Sequence, residues 1–225
     1  MLRPNLLKHE NKGPYCRRNA DEQGWLGMTP KIAVFIWVLG LVAWVIIRVP
    51  HQNRARKIPV ARDAKTVTDR LALMAAAVGL SLIPIVFVAT GFPRFADYPF
   101  QPWLGWLGLF IEAAFLLLFY ASHRQLGKNW SVALEIRSEH KLVTDGLYKY
   151  IRHPMYLSFW LWAIAQLCLL PNVIAGSAGL VGVAILYFSR IANEEAMMRA
   201  TFGEPYDEYA RHTGRVLPKP RLPSR

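Results

Sequence analysis

The chain has 225 residues, of which 53% are hydrophobic and 19% are charged, and its formal net charge is +12. This composition excludes a disordered or fibrous chain and is too apolar for an ordinary soluble domain, so it favours a small polytopic membrane protein. The two cysteines, Cys16 and Cys168, are far apart and Cys168 lies in an apolar block, so neither a disulfide framework nor a metal site is predicted.

Three apolar segments in the first half of the chain are long enough to cross a membrane. A polar tail, residues 1–30, precedes them and lacks the pattern of a signal peptide. The predicted spans are residues 31–49, 71–91 and 103–122. The second span contains Pro84, which kinks a membrane helix more often than it breaks one. Residues 31–122 are therefore predicted to form three transmembrane helices.

The second half of the chain contains one apolar block, residues 155–191, which is too long for a single helix. We predict a helical hairpin whose turn is formed by Pro171 and Asn172. Its second arm carries closely spaced glycines that would let two helices pack together, namely Gly176, Gly179 and Gly182. The predicted fold class is therefore all-α, a polytopic bundle of about five transmembrane helices with a C-terminal hairpin.

Lys and Arg residues concentrate in three stretches, residues 48–70, 123–155 and 190–225. With five spans, all three lie on one face, which the positive-inside rule assigns to the cytoplasm. The N-terminal tail is also basic but would lie on the opposite face, so it conflicts with this assignment. Basic loops that flank apolar spans favour anionic lipid head groups, so the predicted partner is the lipid bilayer and not nucleic acid.

Three short pieces place polar side chains where the apolar blocks begin or end on the predicted cytoplasmic face. They are residues 140–148, residues 152–156, and Arg190 with Glu194 and Glu195. A site formed there would be half in water and half in lipid, which suits a polar cofactor that meets an apolar substrate. Arg190 and Glu194 share a helix face, so they could bind ligands, or they could form only an exposed ion pair.

Other polar residues also have a purely structural interpretation. Pro154 could simply begin the fourth span, and Tyr148 and Tyr156 could be aromatic residues of the membrane interface. Glu112 is different, because an acid within a membrane helix is costly unless it is paired, protonated or facing a polar cavity.

The pattern His-x-Leu-Val-Thr-x-Gly-x-Tyr, followed after four residues by His-Pro-x-Tyr, fills residues 140–156. Together with Arg190, Glu194 and residues 202–209, it resembles the isoprenylcysteine carboxyl methyltransferase family of integral membrane methyltransferases. The related phospholipid methyltransferases share part of the pattern. The resemblance covers roughly the last hundred residues closely, whereas residues 1–101 match only in being membrane-spanning.

This resemblance implies a pocket for S-adenosyl-L-methionine on the cytoplasmic face, within residues 123–217, and leaves residues 218–225 as a basic, Pro-rich tail. The residues that it assigns to the cofactor are His140, Lys141, Leu142, Val143, Gly146, Tyr148, His153, Pro154, Met155, Tyr156 and Glu194. It assigns Arg190 to the carboxylate of the acceptor. The family can have a glutamine seven residues before the histidine, where this chain has Ala133. This departure weakens the inference of the family's substrate more than the inference of its cofactor.

The predicted chemistry is undemanding, because a sulfonium methyl is already activated and its transfer needs mainly alignment, worth about 7 to 11 kcal/mol of the barrier. A carboxylate acceptor is ionised at neutral pH and needs no base, and Arg190 would orient it. For an amine or thiol a proton must leave, and Glu195, His153 and Glu112 are candidate bases. The predicted catalytic residues are Arg190 and Glu195, and the predicted substrate-binding residues are Arg190 and Glu112.

The favoured function is methyl transfer from S-adenosyl-L-methionine to a small lipophilic or prenylated acceptor, through a carboxylate. One alternative is an NADPH-dependent membrane sterol reductase, since the C-terminal part of those enzymes looks similar around Arg-His-Pro-x-Tyr. Others are a methyltransferase for a phospholipid amine or a thiol, and a non-enzymatic protein on the same scaffold. No oligomeric state is predicted.

Overall fold

The structure, a computed structural model, describes residues 27–55, 60–63, 66–127, 135–137 and 141–219. Most of the predicted N-terminal tail lies outside the described residues, and so do residues 220–225, His140 and Ala133. The predicted division of the chain at residues 30, 122 and 217 stays a prediction.

Six α-helices make up most of the described residues. They are α1 Pro30–Ala55, α2 Val67–Thr90, α3 Pro102–Leu126, α4 Pro154–Leu169, α5 Val173–Phe202 and α6 Glu204–His212. Helix α2 contains a π-helical turn, Val78–Leu82, immediately before Ile83 and Pro84, and it continues through the proline to Thr90. Two short 3₁₀ helices lie within the described ranges, Arg94–Ala96 and Gly146–Lys149.

The all-helical class is confirmed, with one addition that the sequence did not reveal. Strand β1, Val60–Asp63, pairs antiparallel with strand β2, Glu135–Arg137. Strands of four and three residues are too short for an alternating pattern to stand out in a sequence. They follow α1 and α3, so they join two connections at the same end of the bundle.

Helices α1, α2, α3 and α5 are each long and apolar enough to cross a membrane. Helix α4 has 16 residues and is therefore about 24 Å long, shorter than the ~30 Å hydrocarbon core of a bilayer. It packs against both α3 and α5. Each predicted span therefore corresponds to a helix, and the fourth of them falls short of a full crossing.

The hairpin turn lies where the sequence predicted it, between Leu169 and Val173. Asn172 caps α5, since its Oδ1 accepts a hydrogen bond from the backbone N–H of Ala175 at 2.9 Å. Its Nδ2 donates to the carbonyl oxygen of Pro93 at 2.8 Å and to Asp97 Oδ1 at 2.7 Å. These bonds tie the hairpin to the α2–α3 connection, and we call this end of the bundle the turn end.

Close packing at the predicted glycines is confirmed where α5 meets α2. A Cβ atom on Gly182 would lie 2.6 Å from the carbonyl oxygen of Ala75 and 3.0 Å from Cα of Ala76. A Cβ atom on Gly79 would overlap the backbone of Ala178. The two helices therefore approach each other backbone to backbone, as small residues allow within membranes.

Replacing Gly182 with Val should destabilise the protein by about 1 to 3 kcal/mol, because α2 and α5 would have to separate. The measurement is thermal or denaturant unfolding in detergent, followed by circular dichroism. Ala200→Val, at an exposed position of the same helix, is the control for the helix propensity of valine. Equal stability of the two variants would contradict the close contact.

Candidate active site

The polar residues singled out in the sequence lie at the end of the bundle opposite to the turn end. This end, which we call the site end, contains the C-terminal ends of α1, α3 and α5 and the N-terminal ends of α2 and α4. Residues 141–153, which contain the 3₁₀ helix Gly146–Lys149, lead into α4, and residues 213–219 follow α6. The side chains of the site come from these two segments and from α2, α4 and α5.

The loop before α4 is held by the end of α3. Gly146 has φ of 56°, a left-handed conformation that favours glycine, and a Cβ atom there would lie 2.7 Å from the side-chain amide of Gln125. The backbone N–H of Leu147 donates to Gln125 Oε1 at 2.9 Å. Residues 141–144 of this loop have no regular secondary structure, and Leu142 and Val143 are half-buried. The loop is therefore anchored at its turn and leaves its first part accessible.

Tyr148 is buried and joins this loop to α6. Its carbonyl oxygen accepts a hydrogen bond from the hydroxyl of Tyr209 at 2.6 Å. Burial raises the pKa of the Tyr148 phenol, so the side chain stays protonated at neutral pH. Tyr209 belongs to the stretch that carried the family resemblance, but no role in the site was predicted for it.

The segment after α6 packs against the backbone of the same loop. The backbone N–H of Arg152 donates to the carbonyl oxygen of Gly214 at 2.8 Å, and that of His153 donates to the carbonyl oxygen of Arg215 at 2.9 Å. The N–H of Gly214 returns a bond to the carbonyl oxygen of Tyr150 at 3.2 Å. The entry to α4 is thus paired with residues more than sixty positions further along the chain.

Glu195 binds two guanidinium groups beneath this loop. It is 1% exposed, and its Oε1 accepts from Arg152 Nη2 at 2.7 Å. Its Oε2 accepts from Arg215 Nη2 at 2.7 Å, and this carboxylate raises the pKa of Arg215. This arrangement favours a structural role for Glu195, in which it holds the loop and the segment after α6 together. The role of Glu195 as a catalytic base stays a prediction.

Glu194 is the more accessible carboxylate of the pair, with 29% of its side chain exposed. The hydroxyl of Tyr156 donates to its Oε2 at 2.9 Å. Nδ1 of His153 lies 3.6 Å from Oε1 of Glu194, and Nε2 of His153 lies 3.4 Å from Oε1 of Glu195. Glu194 therefore sits at an opening, with capacity left for further hydrogen bonds.

His153 is 7% exposed and lies between the two carboxylates. Burial lowers its pKa, but the neighbouring carboxylates of Glu194 and Glu195 outweigh burial, so the pKa is raised above its usual value. The imidazolium form is therefore favoured in the folded protein. The interaction of this imidazolium with the two carboxylates stabilises the folded protein. Its contribution is complete at acidic pH and is lost as the pH rises through the raised pKa of His153.

Arg190 is 6% exposed, so it does not form the exposed ion pair that the sequence left open. Its Nε lies 3.5 Å from Oδ1 of Asp69, in the first turn of α2. The sequence did not single out Asp69. The available signal was the Thr66-x-x-Asp69 pattern, a capping box immediately before an apolar run.

Glu112 is 2% exposed and lies in the middle of α3, apart from the other predicted site residues. It is thirteen residues, or about 20 Å along the helix, from Gln125 at the site end. Its carboxyl group fills the space that a side chain on Gly40 of α1 would need. Its role in substrate binding stays a prediction.

The site end thus combines a partly exposed carboxylate, a buried arginine and the half-buried side chains of Leu142 and Val143, on a bundle of apolar helices. These features define an integral, multi-pass membrane protein with a polar site at one end. A family model described as the isoprenylcysteine carboxyl methyltransferase (ICMT) family matches residues 106–200. This region holds the predicted site from α3 to α5, and it is similar to that family.

Several named relatives show the same similarity. The protein-S-isoprenylcysteine O-methyltransferase of Schizosaccharomyces pombe is 34% identical over 96 residues, which are 42% of this chain and 41% of the relative. A probable protein-S-isoprenylcysteine O-methyltransferase of Oryza sativa subsp. indica is 30% identical over 129 residues, 56% of this chain and 66% of the relative. The Homo sapiens protein of the same name is 32% identical over 118 residues, 52% and 42% of the two chains.

A solved structure, described as the eukaryotic intramembrane Ras methyltransferase ICMT without a monobody, matches with a TM-score of 0.49 and 24% identity. The match covers 69% of this chain and 54% of that chain. Across the relatives named above, the chain spans between 41% and 66% of their length.

Proposed function

We propose that the protein transfers a methyl group from S-adenosyl-L-methionine to the carboxylate of a small lipophilic or prenyl-like acceptor at the membrane surface. The observation that supports this most is the buried guanidinium of Arg190, one helical turn before the accessible carboxylate of Glu194, within the region that matches the family. A buried arginine suits an anionic acceptor, and an open carboxylate suits a ligand with hydroxyl or cationic groups.

The donor groups at the site end fit such a cofactor. Glu194 is partly exposed, and within the described part of the chain Tyr156 is the one hydroxyl that donates to it, on Oε2. Residues 141–144, which have no regular secondary structure, offer backbone groups next to the half-buried side chains of Leu142 and Val143. We infer that these residues, with Tyr148 and Met155, hold the cofactor, which supplies a methyl group already activated by a sulfonium centre.

The protein's own part in the reaction is then alignment. Arg190 orients the acceptor carboxylate, which is ionised at neutral pH and needs no base. The loop from residue 141 to His153 is fixed by Gln125 and Glu195, so that the two ligands meet in one geometry. We assign the site end to the cytoplasm, because the basic stretches of the chain lie at this end.

The named relatives are methyltransferases, which supports methyl transfer over the reductase alternative. The buried Arg190 favours a carboxylate acceptor over a phospholipid amine, since a guanidinium repels an ammonium group. It also argues against a non-enzymatic protein, because removing a guanidinium from water costs free energy that a binding role would offset.

The test is calorimetric titration of the detergent-purified protein with S-adenosylhomocysteine and, separately, with NADPH. We expect the first ligand alone to bind, and Glu194→Gln to weaken it about 10- to 100-fold, the worth of one charge-assisted hydrogen bond. Glu204→Gln, an exposed glutamate at the start of α6, should leave binding unchanged.

Methyl transfer is then measured from labelled S-adenosyl-L-methionine to an S-farnesyl cysteine derivative with a free carboxylate, and to its carboxamide. Transfer to the acid alone supports the proposal. Binding of NADPH without S-adenosylhomocysteine, or methylation of an amine in its place, would overturn it.

A further inference from the structure

Helix α2 contributes a buried acid to the site, although it lies outside the region that matches the family. Asp69 is 2% exposed, and its Oδ1 lies 3.5 Å from Nε of Arg190. Both side chains are removed from solvent, so their charges interact in a medium less polarisable than water. Asp69 and Arg190 are 121 positions apart in the sequence, and their pairing joins α2 to α5.

The carboxylate of Asp69 is fixed by the start of its own helix. Its Oδ2 accepts hydrogen bonds from the backbone N–H and from the hydroxyl of Thr66, both at 3.0 Å. The backbone N–H of Asp69 donates in return to Thr66 Oγ1 at 3.1 Å. Because one oxygen is held by the cap, the other has a defined direction, and that direction is toward Arg190.

The two helices are also fixed relative to each other. Ala72 and Ala76, on the same face of α2 as Asp69, pack in one cluster with Tyr156, Leu186 and Ile191. The backbone contact at Gly182 lies two helical turns from Arg190. The cluster includes Tyr156, whose hydroxyl binds Glu194, so α2 is in contact with the cofactor side of the site as well.

We propose that Asp69 is a positioning residue for Arg190, and that it sets the preference of the site for a carboxylate acceptor; this rests on the proposed function. The guanidinium is planar, and Asp69 Oδ1 lies at its Nε edge at ion-pair distance, so the negative charge favours the orientation in which Nε faces Asp69. The terminal nitrogens then present a fixed edge to a second carboxylate. Asp69 also balances the charge of Arg190 before an acceptor arrives, which keeps the buried guanidinium in place.

The test compares Asp69→Asn with the unchanged protein, using the farnesyl cysteine derivative as acceptor and its carboxamide as competitive inhibitor. We expect KM for the acid to rise about 10- to 100-fold, as for a lost charge-assisted contact, while the Kd of S-adenosylhomocysteine stays within about twofold. The preference for the acid over the carboxamide should fall by a similar factor. Asp97→Asn, the same change at the turn end, should alter neither value.

Asp69→Glu is the second variant, because it keeps the charge and displaces the carboxylate by one methylene group. Positioning predicts a raised KM with unchanged binding of S-adenosylhomocysteine, even if Asp69→Asn does not fold. An unchanged KM in either variant, or a KM and a Kd that rise together, would overturn the proposal for Asp69. Failure of the unchanged protein to bind S-adenosylhomocysteine or to methylate the acid would instead overturn the proposed function.

Discussion

Replacing Glu195 with Gln should lower the free energy of unfolding by about 3 to 5 kcal/mol, the typical result of removing one partner from a buried ion pair. Glu195 is 1% exposed and binds both Arg152 and Arg215. The amide keeps the shape of the side chain but leaves the guanidinium of Arg152, itself 7% exposed, without its carboxylate. The loss is therefore one of charge compensation and not of packing.

Thermal unfolding in detergent measures this effect, and hydrogen exchange locates it. The backbone amides of Arg152 and His153, which donate to Gly214 and Arg215, should lose protection in Glu195→Gln. Glu208→Gln is the matched control, since Glu208 is exposed and its ion pairs among the described residues lie within α6, with Arg211 and His212. A loss of stability equal to that of the control would show that the carboxylate of Glu195 is dispensable.

Replacing Arg190 with Lys should reduce kcat/KM for the acid acceptor about 100-fold, or about 2.7 kcal/mol of transition-state stabilisation. Lysine keeps the charge beside Asp69 but cannot present two parallel donors to a carboxylate. The Kd of S-adenosylhomocysteine should change little, because Glu194 and the loop are untouched. The measurement is steady-state methyl transfer together with calorimetric binding.

Arg199→Lys is the control on the same helix. Arg199 is 49% exposed and pairs with the exposed Asp207, so the same substitution there should leave kcat/KM unchanged. If Arg190→Lys retains full activity on the acid, a planar guanidinium is not required and the proposed role of Arg190 is wrong.

The helices and the hairpin turn were predictable because they depend on local features. Long apolar blocks, and Pro171 with Asn172, each determine structure within a few residues of their own place in the chain. Sequence also indicated which polar residues would meet at one end, since they flank the apolar blocks. For Tyr156 with Glu194 the structure brings two such residues into contact.

The partners of these residues were not predictable in the same way. Whether Arg190 faces Asp69 depends on the packing of α2 against α5, and no local pattern encodes the distance between two helices. Glu195 was predicted as a base because acids near a site can accept protons. Its two arginines come from segments on either side of it in sequence, and only the folded chain brings them together.

The two helices of the hairpin differ in length, and this difference bears on how far a lipid acceptor would have to move out of the bilayer. Measured from the turn end, α4 extends about 24 Å to Pro154, and α5 reaches Arg190 after about 26 Å. Both values are smaller than the ~30 Å of a hydrocarbon core, whereas α5 continues for three further turns. Under the proposed function, an acceptor would present its carboxylate to Arg190 while its chain stays among the acyl tails, and it would avoid the cost of about 0.8 kcal/mol for each methylene group moved into water.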